Sequence, residues 1–460
     1  MRQSKIFRSP LLIGATFGGL LLAGSVWAQA LPPVAPSAPV PEIKIDSGAT
    51  AWILASSALV LFMTPGLALF YAGMVRTKNV LGTLMHSMFC MAIITVQWVI
   101  IGYSISFGDP TFGGLLGSMK YLFLNNVACD RAFPGYPIPH LLHMAYQMMF
   151  AIITPALISG AFAERIRFGA FVVFTLLWST LVYDPLAHWV WGGGLLSMAE
   201  GSWLRRTVGV GALDFAGGTV VHISSGVSAL VFCLMIGKRR GYPKEAMLPN
   251  SLAMTVVGAG ILWFGWFGFN GGSSLNSDPL AVSAFVATHI AAAAAAFSWA
   301  LVEWFHRGKA SILGVVTGLV AGLVCITPAA GFVKPMPALV MGLAVSPVCY
   351  FMVAVIKTKL GYDDSLDAFG VHGVGGTLGA LMTGIFCSEE ICKLSGFATS
   401  AGLKQLQAQA VAVAVTIVYS AIVTVILVIL VDKTIGIRLC ADDELSGLDL
   451  SQHGETGYNP

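Results

Sequence analysis

Eleven apolar runs of about twenty residues, broken by short polar stretches, fill this chain between residues 49 and 431. A helix needs about 20 such residues to cross the hydrocarbon of a bilayer, and inside it every backbone N–H and C=O must find a partner within the segment. The runs therefore predict an all-α integral membrane protein. Its spans are expected near 49–73, 79–103, 140–163, 168–190, 212–236, 249–270, 281–304, 310–328, 336–356, 367–386 and 405–431. Only 10% of residues are charged, against about 25% in a soluble domain, so no water-soluble fold is open to the chain.

The Lys and Arg residues fall in the breaks and orient the bundle. One set of junctions carries Arg76, Lys78, Arg165, Arg167, Lys238, Arg239, Arg240, Lys244, Arg307, Lys309, Lys357 and Lys359, and Lys433 and Arg438 follow the last span. The opposite loops hold about half as many, from Lys120 to Lys404. The richer side is the cytoplasm, which puts the amino terminus outside and the carboxyl terminus inside. Residues 1–30, with Arg2, Lys5 and Arg8 before an apolar stretch and Ala28-Gln29-Ala30 at its end, read as a signal peptide in preference to a twelfth span. Residues 31–48 form a Pro-rich external leader, 49–431 the transmembrane domain and 432–460 a cytoplasmic tail. An odd span count makes spans 1–5 and 6–10 two units of opposite orientation, an inverted repeat common in transporters, with span 11 outside it. Gly314/Gly318/Gly322 and Gly375/Gly379 have the spacing that lets helices approach closely, and packing is their expected role.

His222 falls in span 5 and His372 in span 10, equivalent places in the two units. An ionisable group in hydrocarbon normally faces a partner or a pathway. Two neutral imidazoles sharing a hydrogen bond make a polar line through an apolar tube, fit to bind a small polar solute or relay a proton. His86 and His289 lack this context and read as satisfied core residues; His143 stays open. Asp214 and Asp367 each precede one of the paired histidines, and each can cap a helix start or add negative charge near a pathway. Trp191 lies where span 4 reaches the outside, as a belt residue or a cation–π platform. Phe150 and Phe269 lie within spans. Of the eight cysteines, Cys90, Cys233, Cys325 and Cys349 lie inside apolar runs and read as small buried hydrophobes. Cys129 and Cys387 fall in outside loops, where a disulfide is chemically allowed.

Several stretches together are similar to the ammonium transporters, whose distant relatives are the Rhesus-type proteins. They run from Met63-Thr-Pro-Gly-Leu-Ala-Leu-Phe-Tyr71 through Ala163-Glu-Arg-Ile-Arg-Phe168, Val190-Trp191-Gly-Gly-Gly194 and Asp214-Phe-Ala-Gly-Gly218. Gly265-Trp-Phe-Gly-Phe-Asn270, Phe369-Gly-Val-His372-Gly-Val and Gly447-Leu-Asp-Leu-Ser-Gln-His453-Gly-Glu455 continue them, so the resemblance covers about residues 46–458. It implies that Trp191, Phe150 and Ser273 recruit ammonium at an outer site, with Tyr146 at the same vestibule and Asp214 in support. It implies that Phe150 and Phe269 gate the pore and that His222 and His372 are its twin histidines. Tyr146 stands where a phenylalanine is common, and its hydroxyl is expected to alter the polarity of the outer site. Ala72 interrupts a usual Gly-Gly pair.

The resemblance also implies a homotrimer in the inner (plasma) membrane, with methylammonium as a substrate analogue, and the signal peptide and tail favour a bacterium. A PII-type regulatory protein at the cytoplasmic tail is implied too, beside the simpler reading that the tail braces neighbouring subunits. No cofactor, metal or nucleic-acid partner is expected, and no nucleophile–base pair, metal cluster or phosphate loop suggests an enzyme. A bare ammonium ion in a narrow apolar pore carries a Born-type cost of tens of kcal/mol, which ammonia mostly avoids. Deprotonation below Trp191, passage as ammonia and reprotonation inside are expected. Whether the proton follows is open. An ammonium sensor of the same fold and a Rhesus-type gas channel are the rival readings.

Overall fold

The computed structural model describes residues 43–458. The expected signal peptide and most of the leader lie outside the described residues. Among those described, ten helices are long and apolar enough to cross a membrane: α1 (Ser47–Met74), α2 (Thr77–Phe107), α3 (His140–Ala161), α4 (Phe168–Val190), α5 (Gly218–Ile236), α6 (Leu252–Ser274), α7 (Pro279–Arg307), α9 (Pro335–Leu360), α10 (Phe369–Phe386) and α11 (Leu403–Ile435). The eighth expected span is a shorter helix, α8 (Ile312–Ile326). Its 15 residues reach about 22 Å at 1.5 Å each, short of a hydrocarbon core of about 30 Å. The chain continues it as buried turns from Thr327 to Phe332.

Local chemistry sets the helix starts. Asp46, Ser251, Asp278 and Ser311 each accept a hydrogen bond from a backbone N–H three residues on, capping α1, α6, α7 and α8. Side chains such as Leu54, Val96, Val257, Val282, Phe297 and Ile426 stand exposed on the flanks, where a water-soluble protein would be polar. Glycine lets the helices close up. A Cβ on Gly258 would meet the backbone of Phe70, which seats α6 on α1, and one on Gly322 would meet Ala291 and Ala295. The stripe Gly314/Gly318/Gly322 packs α8 onto α7, as its spacing predicts.

At the end that carries the C terminus, four inter-helix loops are tied by buried ions. Glu164 pairs with Arg76 and Arg239, and Arg239 also pairs with Asp363 at 2.8 Å. Residues 436–455 fold across this face. Glu444 accepts from Arg438 and from Arg240 N, Leu448 N donates to Asn79 Oδ1, and Gly82 N donates to Asp449 Oδ1.

Candidate functional site

At the opposite end, segments from many parts of the chain enclose a vestibule of about 640 Å³. Phe150, Trp191, Asp214 and Ser273 all line it. The Trp191 indole N–H donates to Asp214 O at 2.8 Å, which fixes the ring at the cavity's base. Ser273 Oγ donates to Phe269 O at 2.8 Å, so its lone pairs remain for a donor in the cavity.

Below the vestibule, the Phe150 and Phe269 rings lie against each other, centroids 4.2 Å apart and tilted by 34°, and Trp191 meets Phe150 edge-on at 6.1 Å. Both phenylalanines are only 1% exposed, so in this conformation the rings close the passage. A narrow cavity of about 10 Å³ lies beneath, enough for one water-sized molecule. Its walls are apolar side chains such as Leu67, Ile153, Leu262 and Val320, with two polar exceptions: His222 and His372.

The two imidazoles face each other with Nδ1 atoms 3.2 Å apart. One Nδ1 must donate and the other accept, so one ring keeps a bare Nε2 and the other an Nε2–H. His222 Nε2 is buried without a partner. The pair therefore keeps one acceptor and one donor nitrogen free beside the small cavity. Trp266 stacks on His222 at 5.5 Å and holds its ring plane.

Both histidines sit in a π-helical turn, Gly218–Ile223 and Phe369–Gly373, at the start of its span. The approach needs glycine: a Cβ on Gly226 would run into the backbone of Gly373, and one on Gly376 would sit 2.9 Å from His222 Cβ. α5 begins at Gly218, six residues after the expected 212, because Asp214 precedes the helix and caps it. Its carboxylate accepts from the N–H groups of Gly217, Gly218, Thr219 and Val220 and from Thr219 Oγ1, at 2.6–3.1 Å. Gly217 adopts φ +113°, a left-handed turn that only glycine takes easily.

One expectation is corrected here. Asp367 does not cap α10; it has φ +60° and pairs with Lys357. The cap is Asp364, which accepts from Ala368 N at 3.1 Å and Phe369 N at 2.8 Å. The sequence carried the signal: Asp364 precedes His372 by the same eight residues that separate Asp214 from His222. Tyr146, expected to change the polarity of the vestibule, is fully buried, with its hydroxyl 2.9 Å from the Gly268 and Phe269 carbonyls and 3.2 Å from Ser273 Oγ.

His143, left open by the sequence, lines the vestibule. It stacks on Phe133 at 3.6 Å, and its Nδ1 lies 3.0 Å from Tyr103 Oη. His86 is buried among Phe162, Phe168 and Phe171, and both its ring nitrogens lack a partner, so it is a core residue but not a satisfied one. His289 stacks on Trp263. Asp184, which hydropathy does not single out, is a buried carboxylate inside α4 that accepts from Gln97 Nε2 at 2.6 Å. No group of three or more metal-binding side chains occurs among the described residues.

The sequence model of the Ammonium Transporter Family matches residues 51–458. An ammonium transporter of Aquifex aeolicus (strain VF5) is 45% identical over 419 residues, covering 91% of this chain and 95% of that one. Among solved structures, Mep2 of Candida albicans aligns with a TM-score of 0.79 at 36% identity, over 87% of this chain and 88% of the other. A structure described as a sensor Amt protein aligns with a TM-score of 0.80 at 27% identity, over 88% and 98%.

Proposed function

This chain belongs to the ammonium transporter family, and we propose that it recruits ammonium at the vestibule, strips one proton there and conducts ammonia between its twin histidines. The observation that carries the reading is the vertical order of the site. A wide cavity edged by Trp191 and Ser273 leads to the closed Phe150–Phe269 pair, and then to a cavity for one small molecule whose only polar groups are His222 and His372. A tryptophan face attracts a cation, and the Ser273 oxygen accepts one of its N–H bonds. The narrow cavity cannot hydrate an ion, but it suits ammonia, which donates to the bare nitrogen and accepts from the N–H of the pair. Asp214 acts at one remove: its carbonyl holds Trp191 and its carboxylate holds the turn that presents His222. Potassium, with no proton to lose, is excluded by the same geometry.

The wider frame of the reading has eleven spans, counting α8, arranged as an inverted repeat of α1–α5 and α6–α10. The seating of α1 on α6 and the two Asp-to-His steps of eight residues support that repeat. The protein sits in the inner membrane as a homotrimer, with the vestibule outside. The tail face, in the cytoplasm, is the docking place for a PII-type regulator.

The test is uptake of labelled methylammonium into cells lacking their own ammonium transport. Replacing His222 and His372 together by alanine is expected to abolish uptake or its selectivity over potassium. Unchanged uptake and selectivity would remove the histidines from the mechanism. A second reading, an ammonium sensor, is favoured by the likeness to the sensor Amt structure. Rescue of growth at low ammonium and low pH supports the carrier, and binding of ammonium without rescue supports the sensor.

A further inference from the structure

Directly after α10, on the vestibule face, Ser388 is the N-cap of the short helix Glu389–Leu394. At a helix start, the residue before the cap and the fourth helical residue, five positions on, meet side by side, and apolar pairs commonly fill these two places. Here both are cysteines, Cys387 and Cys392. They are 3% and 0% exposed, and with Leu213 and Phe332 they form one small packed cluster. Their frame is held at both ends: Cys387 N donates to Thr383 O, Cys392 N to Ser388 O, and Phe397 N to Cys392 O, at 2.8–3.0 Å. Cys129, in contrast, is exposed.

We propose that Cys387 and Cys392, unbridged thiols in this structure, are joined by a disulfide in the mature protein, a covalent staple behind the vestibule wall. The proposal rests on the orientation given above, which puts this segment on the oxidising side of the membrane. The oxidant is a disulfide of another protein. One cysteine thiolate attacks it to form a mixed disulfide, and the second displaces the remaining sulfur. One S–S bond forms here and one breaks in the partner, which leaves as a dithiol carrying the two electrons and two protons. Because both thiols are buried in the finished fold, exchange precedes docking of the segment onto Phe332. The staple then fixes the helix whose continuation, Leu394 to Phe397, lines the vestibule. Other ties are Ser388 N to Phe332 O at 2.7 Å and the Lys334–Glu390 ion pair.

The experiment uses the full chain in membranes of the bacterium that expresses it. Thiols are blocked with N-ethylmaleimide in denaturant, before and after reduction, and peptides are weighed. The expected result is that the peptide holding Cys387 and Cys392 takes up two labels only after reduction, whereas Cys90, Cys325 and Cys349 label without it. Label on both residues before reduction, or Cys387 recovered in a bond to Cys129, overturns the proposal. A membrane-impermeant maleimide on intact spheroplasts reads the orientation from the two exposed cysteines, Cys129 and Cys440. Labelling of Cys129 alone upholds it. Labelling of Cys440 from outside overturns the orientation and the staple with it, whereas two free thiols beside a protected Cys440 overturn the staple only.

Discussion

Trp191 uses its two ends differently. The indole N–H is fixed by Asp214 O, and the ring stands at the base of the vestibule, edge-on to Phe150. Cation–π attraction is worth about 0.5–2 kcal/mol. Trp191→Leu is therefore expected to raise the half-saturation for ammonium by about 2- to 30-fold, with little change in uptake at saturation. Methylammonium uptake under ammonium competition measures both, and an unmoved half-saturation would leave Trp191 a packing residue. Tyr146 gives the opposite expectation. Its hydroxyl is buried against the Gly268 and Phe269 carbonyls at the end of α6 and meets the vestibule only through Ser273 Oγ, 3.2 Å away. Tyr146→Phe should leave half-saturation unchanged and lower stability by about 0.5–1.5 kcal/mol, the usual worth of a buried hydrogen bond. Thermal unfolding in detergent reads the second effect. A shifted half-saturation would return the hydroxyl to the recruiting site.

The elements that carry the histidines owe their placement to helix starts. α5 and α10 each begin with a carboxylate that accepts from backbone N–H groups, four at Asp214 and two at Asp364, and each puts its histidine one π-helical turn inside. Asp364→Ala should thus behave like Asp214→Ala, costing about 0.5–2 kcal/mol and reducing uptake, because the turn that aims the histidine loses its anchor. Asp367→Asn removes a largely buried pair with Lys357 that anchors no helix start, so it should leave uptake near normal even where it lowers stability. Equal losses in the two variants would refute this division. It also marks where the sequence was readable. Hydropathy located the long helices to within a few residues, the start of α5 excepted, since burial in lipid leaves an unbroken apolar record, as in α4 and α10. The histidine pair was legible because two ionisable groups stood in apolar runs. Cap identity was not, because Asp363, Asp364 and Asp367 lie within five residues and only backbone geometry chooses among them. The carbonyl partners of the Tyr146 hydroxyl were illegible for a similar reason: hydropathy does not say toward which neighbour a side chain turns.

For the whole molecule, the question is what holds the two sets of helices in register at the end away from the vestibule. Arg239, on the α5–α6 loop, reaches Glu164 on the α3–α4 loop and Asp363 on the α9–α10 loop, and Arg76 reaches Glu164 from the α1–α2 loop. Removing the shared guanidinium leaves two buried carboxylates short of a partner, so Arg239→Ala should cost about 3–5 kcal/mol. The pH dependence separates charge from packing. Burial alone would raise both carboxyls, but Arg239 and Arg76 outweigh it at Glu164, and Arg239 does so at Asp363, so both lie below their ordinary values. A carboxyl held low in the fold contributes stability above its unfolded pKa and loses it as pH falls through its folded value. The contribution is therefore complete above about pH 4.5 and is lost progressively below about pH 4. Unfolding temperatures of wild type and Arg239→Ala should differ widely at pH 7 and converge under acid. The network lies outside both cavities, so the half-saturation for ammonium should stay the same in whatever fraction of the variant folds. A gap in unfolding temperature that persisted undiminished to pH 3 would mean that Arg239 acts by filling space, and the loops would then be held by packing instead of charge.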